Sequence, residues 1–412
     1  EEFRAAAARV EPGDPLEVWR RVKDRHAPAD GIVNAAREQL TRLSTFIARR
    51  DLVTMPAGEP VTVAPTPDFF RWSFASMWTS GPFEARPTRA YYYLTDAEPG
   101  WPADRRQEHL RDLNTPTLWS ISMHEVYPGH FLHFRHLRQV ESKARKSQML
   151  ASGALVEGWA HYCEQMMIEA GFEKQDPTIR LGQLAEALIR IARLVVAIRL
   201  HAEDMSVEQG VRFFRDEAFV EEATARREAE RGTFDPGYVV YTAGKLMLLK
   251  LREDVILREV NALLAEKGYD LMTVDEVAAR VGIAKPSLYK HFESKEALAA
   301  AALVRLLERT RDAIEAQPAS APALDKLKGV VRWALREHLD GQMPSLPSTR
   351  SALRESLVRH PGYVDLLIEV SERLGGWIEE AQRRKAIAPG LPPEVVLYTL
   401  FARACDPVSD YL

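Results

Sequence analysis

The residues most suited to chemistry lie in two short stretches of the first half of the chain. The first is His124-Glu-Val-Tyr-Pro-Gly-His130, and the second is Glu157-Gly-Trp-Ala-His-Tyr-Cys-Glu164. A catalytic zinc site needs three nitrogen or oxygen ligands, an open position for water and a nearby carboxylate that serves as a general base. A His-Glu pair by itself is typical of a solvated helix face. The two stretches together favour a metal site.

The spacing of the two histidines differs from the usual zinc arrangement, in which histidines four residues apart share one face of a helix. His124 and His130 are six residues apart, about 240° of helical rotation, so a straight helix would separate them. Pro128 cannot donate a hydrogen bond to the carbonyl of His124, and Gly129 is conformationally permissive. We therefore expect a local bulge that realigns His130 with His124.

The second stretch places its polar residues on one helical face. Glu157, His161 and Glu164 stand at positions i, i+4 and i+7, which are neighbours on the surface of a helix. Metal-binding histidines commonly need a carboxylate that orients the ring. We therefore expect His161 and Glu164 to support the metal ligands rather than to bind the metal.

Together these motifs resemble a bacterial family regarded as zinc peptidases, which carries His-Glu-x-x-Pro-Gly-His and a later Glu-Gly-Trp-Ala. Its third metal ligand is a glutamate on a second helix. The resemblance implies that His124, His130 and Glu157 bind one zinc ion. It also implies that Glu125 activates the attacking water. The resemblance extends to Arg252 and corresponds to the C-terminal part of the family's domain.

The same resemblance implies a peptide substrate and two further features. Tyr241-Thr-Ala-Gly-Lys245 is similar to the closing motif of the family, and the Tyr241 hydroxyl would stabilise the oxyanion. Tyr91-Tyr-Tyr-Leu94 is the best short strand candidate by composition. By the resemblance it is an edge strand on the substrate side of the site.

A helix-turn-helix pattern lies in the second half of the chain. Thr273 is a plausible N-cap, and Glu276 three residues later completes a capping box for a helix that ends at Val281. Gly282 follows as the turn glycine. The segment Lys285–Phe292 predicts a short second helix, with a proline in its first turn. Any three small helices with a glycine turn would look similar, but the order of these residues favours a DNA-binding unit.

Residues 268–298 resemble the N-terminal domain of the TetR family of transcriptional regulators. The resemblance implies contacts with duplex DNA, in which Lys285 reaches base edges while phosphates are held by Ser287, Tyr289 and Lys295. The full set of implied DNA contacts is Thr273, Lys285, Ser287, Tyr289, His291 and Lys295. The net charge of the chain is -4, so the basic residues of this segment, among them Lys285 and Lys295, would have to supply the attraction to DNA.

Residues 303–412 would then resemble the ligand-sensing and dimerising helices of the same family. This implies a small-molecule effector and a homodimer, although the last dimerisation helix looks shortened. The side chains that we expect to line the effector pocket are Trp333, Leu353, Leu357, Leu366, Leu374 and Trp377.

The resulting architecture is mainly α-helical, with three domains. A metallopeptidase-like domain with a small β element covers 1–250, the helix-turn-helix covers 251–302, and a helical sensor bundle covers 303–412. Apolar periodicity predicts long helices over about 115–145, 150–170, 177–203, 206–231 and 240–267. Prolines and a glycine predict a loop over 54–67.

Composition bounds the location of the protein. The chain has no uncharged run near the ~20 residues that cross a bilayer, so we expect no membrane segment. Cys163 and Cys405 are far apart and suggest no disulfide framework. This pattern favours the cytoplasm.

Three functions remain open at this point. In the first case the protein is a DNA-binding regulator fused to a zinc peptidase, and both sites work. Alternatively, the first half is a passive or sensory module of a repressor. In the third case the protein is a zinc peptidase, and the regulator half is vestigial or joined by an artefact of the reading frame.

Overall fold

The computed structural model describes all residues except 59, 72, 86–88, 99, 148, 345–350 and 406–412. It divides into two compact units, Glu1–Lys250 and Leu251–Leu412. Of the residues, 68% are helical, which confirms the mainly α fold. Among the described residues, no helix is both long enough and apolar enough to cross a membrane.

The first unit consists of helices with one small sheet. Its elements are α1 Glu2–Val10, α2 Pro15–Lys23, α3 Ile32–Arg50, β1 Val61–Pro65, β2 Ala75–Thr79, β3 Ala90–Leu94, α4 Ala103–Asp112, α5 Thr115–Glu125, α6 His130–Leu137, α7 Lys143–Lys146, α8 Gly153–Glu169, α9 Pro177–Ala202, α10 Val207–Ala218, α11 Glu222–Gly232 and the start of α12, Val239–Leu271. The border between the units falls within α12.

The second unit is helical throughout its described elements. After α12 it contains α13 Val274–Val281, α14 Lys285–Leu288, α15 Lys295–Glu315, α16 Ala323–Leu339, α17 Ala352–Val358, α18 Pro361–Arg383 and α19 Pro393–Cys405. The side chains expected to line one effector pocket divide between two hydrophobic clusters. Trp333, Leu353 and Leu357 belong to the cluster that holds the helix-turn-helix, whereas Leu374 and Trp377 belong to a second cluster.

The sheet has the strand order β1-β3-β2, with β1 parallel and β2 antiparallel to β3. The predicted strand at Tyr91–Tyr93 is present, but its assignment as an edge strand is wrong, because both of its sides are hydrogen-bonded. The loop predicted over 54–67 is also wrong in part, since Val61–Pro65 forms β1. Backbone pairing with a distant strand overrides the local loop composition there.

Helix α5 lies in the core of the first unit. Its residues Pro116–His124 are all buried, and it packs against α3, α8 and α9. A helix that is buried on every side shows no polar stripe, and its sequence accordingly has little amphipathic pattern. This packing buries His124 at the end of α5.

Two predicted long helices are shorter in the structure. The helix predicted over 206–231 is divided at Phe219, which adopts a left-handed conformation with φ 58°. The helix predicted over 115–145 ends at Glu125, and α6 begins at His130. The expected bulge at 128–129 is therefore a complete break between two helices.

Candidate metal centre and nucleic-acid interface

The break between α5 and α6 brings the two motif histidines together. Gly129 donates its N–H to the carbonyl of Met123, 3.0 Å away, so the chain turns back over the last turn of α5. A Cβ at Gly129 would stand 1.7 Å from the carbonyl oxygen of His124, so only glycine fits this approach. As a result the His124 and His130 rings have centroids 4.8 Å apart despite their spacing of six residues.

Helix α8 brings Glu157 to the two histidines. The Glu157 Oε2 atom lies 3.4 Å from Nε2 of His124 and 3.3 Å from Nε2 of His130. One ligand atom from each of these three residues lies within 4.8 Å of the others. The two histidines are buried, and the Glu157 side chain is 26% exposed. The structure thus gathers the three residues that the resemblance implied as ligands.

Two of the three separations between the donor atoms match the edge of a zinc tetrahedron, and all three donor atoms lie within 4.8 Å of one another. Two ligand atoms, each about 2.1 Å from a tetrahedral zinc, are about 3.4 Å apart. The two measured distances from Glu157 match this value. A direct hydrogen bond between charged imidazole and carboxylate groups is shorter, about 2.7–2.9 Å. The separation is therefore better suited to a shared metal than to a direct ion pair.

Glu164 supports the centre from two turns further along the same face of α8. Its carboxylate is wholly buried and accepts a hydrogen bond from Nδ1 of His124, 2.7 Å away. The second carboxylate oxygen lies 3.1 Å from the Ser120 hydroxyl and 3.3 Å from Nδ1 of His161. When a metal displaces the proton on Nε2, His124 would keep its proton on Nδ1 and present an unprotonated Nε2 towards Glu157 and His130, as a metal ligand must.

The buried charges shift the acid–base equilibria of the centre. Burial alone would raise the pKa of Glu157, but the charge of His130 and the close contacts of the carboxylate with both histidine rings lower it overall. Burial and the charge of Arg190 would lower the pKa of His124, but hydrogen bonds to Glu157 and Glu164 raise it to about 9. Burial lowers the pKa of His161 to about 3, which keeps that ring neutral.

A cavity of about 830 Å³ opens on one side of the centre. His124, Glu125 and Tyr241 all line it, so the implied base and the implied oxyanion-stabilising group face the same space. The ring of Tyr241 stacks near that of His124, with centroids 6.4 Å apart. Tyr241 reaches this position because α12 crosses α8 closely, where the Cα of Gly158 lies 2.9 Å from the Cβ position of Gly244.

The second unit contains the predicted helix-turn-helix. The capping box between Thr273 and Glu276 is present in both directions, and α13 ends at Val281 as expected. Gly282 adopts a left-handed conformation, with φ 72°, and turns the chain towards α14. Helix α14 is shorter than expected: it ends at Leu288, and the following residues form turns.

The implied DNA contacts differ in exposure. Thr273, Lys285 and Tyr289 are exposed, and Lys285 forms an ion pair with Asp275 at 2.8 Å. His291 and Lys295 are partly buried, and the Lys295 ammonium lies 4.3 Å from the centroid of the Tyr269 ring. Ser287 is only 4% exposed, so in this conformation it is not presented to a phosphate as the resemblance implied.

Comparison with protein families divides the chain in a similar way. A family described as a bacterial protein of unknown function, DUF885, matches residues 1–260, which is more than half of the chain. The chain belongs to this family. A second family model, of bacterial regulatory proteins of the tetR family, matches residues 256–302. These residues therefore form a TetR-type helix-turn-helix region attached to a DUF885 domain.

Individual relatives cover parts of the chain. The transcriptional regulator TcmR of Streptomyces glaucescens is 27% identical over 129 residues, which are 31% of this chain and 57% of TcmR. The biofilm operon regulator IcaR of Staphylococcus aureus is 46% identical over 46 residues, 11% of this chain and 25% of IcaR. A solved structure from Shewanella oneidensis, described as a candidate lipoprotein of unknown function, is 26% identical with a TM-score of 0.53.

The match to the Shewanella structure covers 61% of this chain and 48% of that one, so the chain spans about half its length. Neither its description nor that of the DUF885 family names an activity. These comparisons thus give no support to the resemblance with zinc peptidases, and the candidate metal centre rests on its geometry alone.

Sequence reasoning missed one residue of the centre, Arg190 on α9. Its guanidinium Nη2 lies 3.1 Å from Glu164 and 3.3 Å from Nδ1 of His124. It belongs to no motif, and its partners in the centre, Glu164 and His124, are far away in sequence. A signal was nevertheless present, because Arg190 and Arg193 interrupt an otherwise apolar stretch of a long helix. Arginine buried in such a face requires a partner.

Proposed function

We propose that the DUF885 unit is a zinc-dependent hydrolase of peptides and that the TetR-type region attached to it binds duplex DNA. The observation that carries the first part is the donor set of His124, His130 and Glu157. Three ligand atoms of suitable type converge within 4.8 Å, and two of their separations equal the edge of a zinc tetrahedron.

The neighbouring side chains suit hydrolysis at this centre. A zinc ion bound there would polarise a substrate carbonyl and increase the acidity of a water. The side chain of Glu125, a residue that lines the cavity, would accept a proton from the attacking water and pass it to the leaving nitrogen. The Tyr241 hydroxyl donates a hydrogen bond to the carbonyl oxygen as negative charge develops on it. Glu164 holds His124 in the tautomer that binds metal.

The first test is the metal content of the purified full chain, measured by elemental analysis. We expect about one zinc per chain in the wild type and none in Glu157→Ala. Glu157→Gln is the matched isosteric control, since it keeps the side-chain volume and removes the negative charge. Zinc retained at full occupancy in both variants would overturn the ligand assignment.

The second test separates metal binding from turnover. Glu125→Gln should retain zinc, because Glu125 is not among the three donors, and it should lose at least about 100-fold in hydrolysis of a peptide library. New amino termini released from the library provide the readout. Wild-type zinc with no released termini would refute the peptidase proposal while leaving the metal site in place.

The proposal of DNA binding rests on a different observation. The exposed Thr273, Lys285 and Tyr289 lie on a helix-turn-helix whose sequence matches the TetR model. Recognition helices of this kind enter the major groove, and dimers bind two half-sites. We therefore propose that the chain binds a palindromic duplex as a homodimer and that a small-molecule effector regulates this binding.

Selection from a pool of random duplexes tests this second part. The wild type should enrich a palindromic sequence, and Lys285→Ala should weaken its binding. Lys328→Ala removes an exposed lysine of α16 outside the helix-turn-helix and should leave binding unchanged. No enrichment by the wild type would leave the zinc hydrolase as the only proposed function.

A further inference from the structure

Helix α9 carries the buried Arg190 and the partly buried Arg193, whose side chains are 7% and 16% exposed. Buried charges need partners, and the partners of these two differ. Arg193 forms two hydrogen bonds of 2.7 Å with Glu228. Arg190 instead lies between Glu164 and Glu186, beside a proposed zinc ligand.

The contacts of Arg190 fix its orientation from both sides. Its Nη1 atom donates to the backbone carbonyl of Glu186 at 2.9 Å and to the Glu186 carboxylate at 3.0 Å. Its Nη2 atom lies 3.1 Å from Oε1 of Glu164. The guanidinium group is planar and rigid, so fixing Nη1 also fixes the direction of Nη2.

Arg190 contacts the same carboxylate oxygen of Glu164 that contacts His124, a proposed zinc ligand. The Oε1 atom of Glu164 accepts a hydrogen bond from Nδ1 of His124 and forms an ion pair with Arg190. The Glu164 side chain is 0% exposed, so bulk water does not compete for the carboxylate. Ser120 and His161 contact only the other oxygen. Arg190 is therefore the group that can hold Oε1 against the His124 ring.

We propose that Arg190 is a positioning residue of the metal centre, which clamps Glu164 against His124 and so directs Nε2 of His124 at the metal. The inference rests on the proposed zinc site. Replacing Arg190 removes no ligand atom, but it releases the carboxylate that orients the ring. Substitutions of groups that support metal ligands typically weaken metal binding by roughly 10–100-fold, and we expect Arg190→Gln to fall in this range.

The experiment compares zinc dissociation constants, measured by competition with a chelator, for the full-length wild type, Arg190→Gln and Arg193→Gln. Arg193→Gln is the matched control because it removes a partly buried guanidinium about one turn along the same helix. The carboxylate partner of that guanidinium is Glu228 rather than Glu164. We expect weaker zinc binding only in Arg190→Gln. Wild-type affinity in Arg190→Gln, or an equal loss in both variants, would overturn the proposal.

Two additions keep the test decisive. If Arg190→Gln does not fold, Arg190→Lys replaces it. A single ammonium cannot contact Glu164 and Glu186 with the geometry of the guanidinium fork. We expect the zinc affinity of Arg190→Lys to lie below that of the wild type and above that expected for Arg190→Gln. The visible absorption spectrum of the cobalt-substituted protein should also change in the Arg190 variants, since this spectrum reports the geometry of the metal ligands. An unchanged spectrum together with unchanged affinity would refute a positioning role.

A metal-free measurement separates this inference from the zinc site itself. In chelator-treated protein, the Nδ1–H proton of His124 should give a downfield NMR signal, assigned by its loss in His124→Gln. Arg190→Gln should shift this signal, and Arg193→Gln should not. If the wild type binds no zinc yet the signal shifts, the proposed function fails while the clamp stands. An unshifted signal refutes the clamp whether or not zinc binds.

Discussion

The proposed metal centre and the helix-turn-helix place their functional groups in opposite ways. The centre gathers side chains from α5, α6, α8, α9 and α12, and its polar atoms are mostly buried and paired. The helix-turn-helix takes its implied contacts from one short segment, 273–295, and presents several of them to solvent. A buried group takes its position from distant neighbours, whereas an exposed one takes it from the local backbone.

This difference predicts that the same substitution, glycine to alanine, has different effects on stability and on zinc content in the two regions. Glycines stand at a critical turn in each, Gly129 at the centre and Gly282 in the helix-turn-helix. A Cβ at Gly129 meets a backbone oxygen at 1.7 Å, whereas a Cβ at Gly282 meets nothing within 4 Å. A substitution at Gly282 therefore costs only the strain of placing a residue with a side chain in the left-handed conformation.

The largest expected effect is therefore that of Gly129→Ala. We expect it to abolish stoichiometric zinc and to lower the free energy of unfolding by at least about 3 kcal/mol, because backbone must move. Gly282→Ala should cost about 1–2 kcal/mol and leave zinc at one per chain. Denaturant unfolding and elemental analysis measure both. If Gly129→Ala retained zinc and wild-type stability, the close approach of α6 to α5 would not be required for the site.

A change of pH should have an intermediate effect on the apparent zinc affinity of the proposed centre. Burial and Arg190 disfavour the charged form of His124, but its bonds to Glu157 and Glu164 raise its pKa to about 9, so metal-free His124 is protonated below that pH. Zinc must displace this proton. Apparent zinc affinity should thus rise about tenfold per pH unit towards pH 9 and then level off.

The check is a series of chelator competitions at pH 6.5, 7.5 and 8.5, corrected for the protonation of the chelator. Lys285→Ala serves as a control from the exposed region and should show the same slope as the wild type. A zinc affinity that does not change over this range would contradict the assignment of the raised pKa to a metal ligand.

The smallest expected effect is in the salt dependence of DNA binding. Lys295→Ala should weaken binding about equally on all duplex sequences and reduce the slope of log affinity against log salt by roughly 1, because one phosphate contact is lost. Titrations at several salt concentrations give the slope, with Lys328→Ala as the surface control. An unchanged slope would mean that Lys295, which lies over the Tyr269 ring, serves packing rather than phosphate binding.

The same contrast explains how much could be predicted from sequence. The capping box at Thr273, the end of α13 and the left-handed Gly282 follow from short-range hydrogen bonds and steric rules, so sequence analysis found them. The strand at Tyr91–Tyr93 was found for the same reason. The place of that strand within the sheet was not, because it depends on pairing with β1 and β2.

The sequence by itself determined the mainly α fold, the helix-turn-helix and the ligand residues of the proposed metal centre, since these depend on periodicity, capping and motif spacing. Only the tertiary structure decided that α5 and α6 break apart and meet again at Gly129, that Ser287 is buried, and that Arg190 joins Glu164. The physical reason is that close packing and the pairing of buried charges act between residues far apart in the chain, where local sequence carries no record of the contact.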